Sequence, residues 1–153
     1  MTAADSLRQV SLALVRRFID AINDSWNVDV MRDLVSEDFL FVIPFAPEWF
    51  PVRYEGREKA LAFLDTVREL MDAENLHDLR LDTWATDPGQ VIALYKSDTR
   101  MKATGLPYRN EYVGHFTVRE GRITRFAEYL DPVRFVIAIG GTVEPPAATD
   151  RTR

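Results

Sequence analysis

The chain has 153 residues, 46% of them hydrophobic, and a formal net charge of −5. That length suits one domain with one sizeable core, while an acidic balance without a Lys/Arg-rich run excludes a dedicated nucleic-acid binder. With no cysteine the chain has no disulfide, thiolate nucleophile or Cys-based zinc site, and no apolar run approaches the roughly 20 residues that span a membrane.

The N-terminus, "MTAADSLRQV", lacks the basic and apolar regions of a signal peptide, so a cytoplasmic protein is expected. A first helix follows from Leu7, Val10, Leu14, Phe18, Ala21 and Ile22 at three- and four-residue spacing, with Asp5 as its N-cap. "NDSWN" breaks the pattern, and a short second helix carries Val28, Met31 and Leu34 on one side. "DFLFVIPF" is too apolar and too short for a surface helix, and reads as a strand buried on both faces that ends at Pro44.

"APEWFPVRYEG" is a Pro-rich loop with three large aromatics, either a lid or a dimer contact. A third helix, "REKALAFLDTVRELMD", turns Ala60, Leu64, Val67 and Met71 inward. Four strands are expected at about 77–86, 90–103, 108–119 and 122–131, separated by "DPGQ", "TGLP" and "REGR". "PVRFVIAIGG" is a helical turn or an extra strand, and the segment 142–153 reads as a flexible tail after a domain covering 1–141. Helices first and a strand meander later give an α+β fold, with amphipathic helices covering the apolar face of a curved, mainly antiparallel sheet around a hydrophobic pocket.

"YRNEYVGHFTVREGRITRFAEYLDP" resembles the C-terminal signature of the SnoaL-like proteins, part of the nuclear-transport-factor-2-like superfamily. The resemblance runs from about Leu7 to Ile139 and implies a cone-shaped fold. It also implies a pocket for a small, largely apolar, oxygenated molecule, and either cofactor-free isomerase, cyclase or hydrolase chemistry or a binding or interaction module without catalysis. Fold does not fix function, so the site is argued by residue.

By resemblance to the epoxide hydrolases of this superfamily, Glu128 faces the cavity from the last strand, with Phe126 and Leu130; by resemblance to the polyketide cyclases the acid falls nearer Asp131. On the "QVIALYKSDTRMK" strand the resemblance puts Lys96 and Asp98 inward, whereas a one-residue slip presents Tyr95 and Ser97 instead. The neighbouring strand would present Asn110, Tyr112 and Phe116. The expected catalytic set is therefore Glu128, Asp98, Tyr112 and Asp131, in a cup walled by Phe18, Ile22, Val67 and Met71. Two acids in one small apolar cavity push their pKa values apart, leaving one proton donor and one base.

The chain departs from the superfamily's known sets. Phe41 and Ile43 stand where the epoxide hydrolases hold water, "FLFVIPF" contains no acid where the ketosteroid isomerases place their base, and Phe18 replaces those isomerases' first-helix Tyr. His77 and His115 look peripheral, and no His and acid have metal-ligand spacing, so no metal or cofactor is expected. A homodimer is expected, through an outer sheet face presenting Val91, Val113 and Tyr129.

Overall fold

The computed structural model describes residues 2–145. Helix α1 (Ala3–Asn23) starts at a capping box in which Thr2 is the N-cap and Asp5, the expected cap, is the reciprocal partner three residues on. Its buried stripe is Ser11, Val15, Phe18, Ile19 and Ile22; Leu7 and Val10 stay exposed, so the inner face is rotated from the one expected. Helix α2 (Val28–Leu34) is capped by Asn27 and runs directly into β1 (Val35–Val42).

The segment 43–52 carries the aromatic loop, and β2 (Arg53–Glu55), expected as loop, pairs with β1. Helix α3 (Arg57–Leu70) ends one residue before Met71. Strands β3 (His77–Thr83) and β4 (Gln90–Lys96) follow. The expected 90–103 strand stops at Lys96; after Ser97 and Asp98 the chain forms a two-residue ladder of β5 (Thr99–Arg100) with β6 (Pro107–Tyr108). Strands β7 (Glu111–Arg119) and β8 (Arg122–Leu130) form the hairpin expected from "REGR". Segment 132–138 resolves as a helix, α4 (Pro132–Ala138), because Asp131 caps it and Pro132 opens it. Most of the 142–153 segment lies outside the described residues.

The main sheet has the order β2-β1-β8-β7-β4-β3, antiparallel except for the parallel β1–β8 pair. The fold is α+β. Across the sheet, Val91, Phe116, Phe126 and Phe41 form one register row on the inner face. Phe116 and Phe126 stack at 4.2 Å, and Phe18 of α1 meets them edge-on at 5.7 and 5.5 Å. These rings are the core and not the wall of a pocket, which corrects the expected places of Phe18, Phe116 and Phe126. Ile22 lies in the same core.

Candidate active site

One register step along the sheet, the inner face carries Ala93, Gly114 and Glu128, and the next step carries Tyr95, Tyr112 and Leu130. Glu128, Tyr112 and Leu130 of these rows line a cavity of about 60 Å³ beyond the aromatic core. Opposite the sheet it is closed by Val67 and Met71 from α3 and its end, by Phe50 from the 43–52 loop and by Phe135 from α4. Phe50 meets Phe135 edge-on at 5.4 Å, so loop and last helix border the same side.

Two carboxyls line this cavity, Glu128 and Glu74, and both are buried. Glu128 Oε1 accepts a hydrogen bond from the Tyr95 hydroxyl at 2.7 Å. Glu74 sits in the connection between α3 and β3, held from three sides. Asn23, at the end of α1, clasps the backbone of Leu76 through both ends of its amide, at 2.7 and 3.0 Å. The Asp98 amide donates to the Glu74 carbonyl at 3.3 Å, and the Thr99 hydroxyl donates to the Asp72 carbonyl at 3.1 Å. The Tyr112 hydroxyl lies 3.4 Å from Glu74 Oε1, 3.2 Å from the Tyr108 hydroxyl and 3.2 Å from Ser97 Oγ. Tyr95 and Tyr112 stack at 5.1 Å, so the two hydroxyls that serve the two acids belong to one rigid pair.

Burial dominates the electrostatics. It pushes the Glu128 carboxyl up to about 7, against the opposing hydrogen bond from Tyr95. It pushes Glu74 up to about 8; the charge of Glu128 adds to the rise, while Tyr112 and the nearby Trp26 indole oppose it. Burial also raises Tyr95, Tyr108 and Tyr112, so all three keep their protons. Among the described residues, Glu74 Oε2 and Trp26 Nε1 have no partner at hydrogen-bond geometry, although both residues line the cavity. A buried polar atom without a partner is costly unless a ligand or water supplies one.

Of the expected residues, Glu128, Tyr112, Val67, Met71 and Leu130 border the cavity. Asp98 and Lys96 do not. Strand β4 takes the alternative register, with Tyr95 and Ser97 buried and Lys96 and Asp98 exposed. Asp98 pairs with Arg109 at 3.0 Å and Lys96 with Asp78 at 3.4 Å. Asp131 spends its carboxylate on the α4 cap, accepting from Val133 and Arg134 backbone N–H groups at 2.9 and 3.3 Å. Asn110 is buried behind the cavity, donating to the Tyr108 hydroxyl at 2.9 Å and to the Asp131 carbonyl at 3.1 Å. His115 lies away from the site, stacked on Trp84 and bonded to Gln90.

Glu74, Trp26 and Tyr108 are the cavity residues with polar atoms that sequence reasoning missed. A Glu in a short polar connection carries no periodic signal that separates it from a solvated one. No group of three or more His, Cys, Asp or Glu among the described residues is placed to hold a metal ion. No helix among them is long and apolar enough to cross a membrane.

Residues 15–126 match the SnoaL-like domain family. The chain is 28% identical over 142 residues to the Bacillus subtilis (strain 168) protein YesE, covering 92% of this chain and 88% of that one. It is similar to the crystal structure of a Bacillus subtilis protein described as a candidate isomerase, with a TM-score of 0.80, 26% identity, and 88% and 95% of the two chains covered. A candidate polyketide cyclase from Xanthomonas campestris pv. campestris shares the fold at a TM-score of 0.74 and 23% identity, with 87% and 98% covered. With its matched segment spanning most of the fold, this chain belongs to the SnoaL-like domain family.

Proposed function

We propose that the protein is a cofactor-free acid–base catalyst that isomerises or cyclises a small, largely apolar carbonyl compound. The observation that carries this is the pair of buried carboxyls, Glu128 and Glu74, in one apolar cavity with Glu74 Oε2 left without a partner. Near neutral pH the pair holds about one proton, because Glu128 titrates near 7 and Glu74 near 8. Glu128 is then the base and Glu74 the acid. Glu74 Oε1 faces the Tyr112 hydroxyl, which leaves Oε2 as the oxygen that donates to a ligand.

In the reaction, Glu128 removes a proton from the carbon beside the carbonyl and becomes neutral. The electron pair moves to the carbonyl oxygen, where the Glu74 hydrogen bond stabilises the enolate. Where the substrate carries a carbon–carbon double bond next to that carbon, the enolate is a dienolate, and return of the proton from Glu128 to its far carbon completes an isomerisation. Attack of the enolate carbon on a second carbonyl in the same molecule, followed by protonation of the new alkoxide, completes a cyclisation. Epoxide hydrolysis is disfavoured, since Phe41 and Ile43, which line the cavity, stand where the resembled epoxide hydrolases hold their attacking water. A volume of about 60 Å³ is well below the roughly 300–1,000 Å³ of drug-sized sites, so the reacting end of the substrate is small or enters as the Phe50 loop shifts.

The test is a thermal-shift screen against enolisable ketones and diketones, followed by proton–deuterium exchange at the carbon beside the carbonyl. Exchange catalysed by the wild type and lost in Glu128→Gln supports the reading. A ligand that binds both proteins equally and exchanges with neither makes the protein a binding module.

The same reading includes a homodimer. Leu94, Val113 and Tyr129 form a register row on the outer sheet face, the first two 44% and 40% exposed, and Phe45 meets Tyr129 edge-on at 5.0 Å. Val91, expected on that face, is fully buried on the inner one. Sedimentation as a single monomeric species at micromolar concentration would remove the dimer from the proposal.

A further inference from the structure

We propose that this cavity also binds a small methylated ammonium cation, held by the two carboxyls and by aromatic faces. The inference rests on the reading that the cavity admits ligands; it does not require turnover.

Four features carry it. The first is charge: the cavity is lined by Glu74 and Glu128 and by no Lys, Arg or His. Neither acid has a cationic partner, so each is left with a burial cost that a bound cation would relieve. The second is the wall. Trp26, Phe50, Tyr108, Tyr112 and Phe135 line one small space, and aromatic faces attract desolvated cations more strongly than exposed ones. The third is the unpartnered Glu74 Oε2, an acceptor 95% of whose residue surface is buried, since Glu74 is 5% exposed. An N-methyl group bearing part of a positive charge is a suitable neighbour for it. The fourth is size, because about 60 Å³ suits a ligand of a few heavy atoms. A bare metal ion fits poorly, since two carboxyls and two protonated phenols offer few donors to replace its hydration shell, and no third acid or His among the described residues joins them.

A cation favours the ionised acids, so its binding expels protons and strengthens as pH rises. The other titratable groups facing the pair are the hydroxyls of Tyr95 from β4, Tyr108 from β6 and Tyr112 from β7, all pushed upward by burial. Helices α3 and α4 and strand β1 contribute only apolar side chains to the wall. The dependence therefore belongs to the two glutamates.

The experiment is calorimetric titration of the full chain with tetramethylammonium chloride, whose charge does not change with pH, at pH 6 and pH 9 and constant ionic strength. Tert-butanol is the neutral control of similar shape. The expected result is a Kd at least about tenfold tighter at pH 9 than at pH 6 for the cation, with no such change for the alcohol. Glu74→Gln, checked for folding by circular dichroism, should weaken cation binding at pH 9 by a similar factor. Binding of tert-butanol or a small ketone without tetramethylammonium overturns this inference and leaves the catalytic reading intact. Equal affinity for the cation at both pH values also overturns it. Binding of none of these ligands overturns both.

Discussion

Tyr95 reaches Glu128 across Gly114. Glu128 pairs in register with Gly114, Gly114 pairs with Ala93, and Tyr95 lies two residues beyond Ala93, so the 2.7 Å hydrogen bond runs diagonally over a position with no side chain. A Cβ at Gly114 would stand 3.2 Å from a Tyr95 ring carbon and 2.8 and 3.2 Å from carbons of Phe116 and Phe126. The glycine is a notch that lets a strand tyrosine lie down against its neighbour's acid.

Gly114→Ala should therefore act on both core and site. The Phe116 and Phe126 rings are fully buried and stacked, so they have little room to retreat. Overpacking of this kind costs about 1–3 kcal/mol. Chemical denaturation should show a lowered midpoint with an unchanged slope. An unchanged midpoint would mean that the rings are looser than their packing indicates.

Glu128→Gln tests the base. Gln keeps the volume and an oxygen for the Tyr95 hydroxyl, so the fold and the cavity should persist. Loss of a positioned general base costs about 10²–10⁴-fold in rate. The expected result is a loss of at least about 100-fold in kcat, or in the hydrogen-exchange rate, with ligand affinity changed by less than about threefold. In the wild type the same rate should peak between pH 7 and 8, where Glu128 is ionised and Glu74 still protonated. Full activity in Glu128→Gln would move the base elsewhere.

Much of the fold was legible because its signals are periodic. The four antiparallel strands β3, β4, β7 and β8, both major helices and the Asp131–Pro132 boundary follow from alternation, helical spacing and turn chemistry. The polar residues of the site were legible only where a long strand carried them, at Glu128 and Tyr112. The face of β4 was ambiguous because "LYKSD" alternates polar and apolar residues in both registers. Tertiary packing settled it, with Tyr95 stacking on Tyr112 and Lys96 and Asp98 finding partners outside. Glu74 was invisible because its burial is imposed from a distance, by an Asn23 that clasps the following backbone 53 residues away. Phe18, Phe116 and Phe126 read as pocket because apolar residues facing inward look the same whether the space beyond them is empty or filled.

Asp98→Asn is the contrasting substitution. Asp98 and Arg109 form an exposed pair, with side chains 46% and 71% exposed, and such pairs contribute about 0–1 kcal/mol. The backbone N–H of residue 98, which donates to the Glu74 carbonyl, is kept in the variant. Turnover should stay within about twofold of wild type and the melting temperature within about 2 °C. A large loss of activity would restore Asp98 to the site and require β4 to change register when ligand binds.

Stability should fall with rising pH across the neutral range, because both buried acids have pKa values raised above the ordinary 4.5, to about 7 and about 8. Below about 4.5 they are protonated in both folded and unfolded chains, and their contribution is fully present. Between there and about 8 the unfolded chain releases their protons more readily than the folded one, so the contribution is progressively lost, and above about 8 the loss is complete. Exposed acids such as Asp78 and Asp87 have lowered pKa values from their Lys96 and Arg119 partners, and titrate well below this window. The measurement is the melting temperature at pH 5, 7 and 9 in wild type and in the Glu74→Gln, Glu128→Gln double variant. Wild type should lose at least about 5 °C more than the variant between pH 5 and 9. Parallel curves would show that the two acids ionise in the folded protein as freely as in water, and with that the acid–base division between Glu74 and Glu128 would fail.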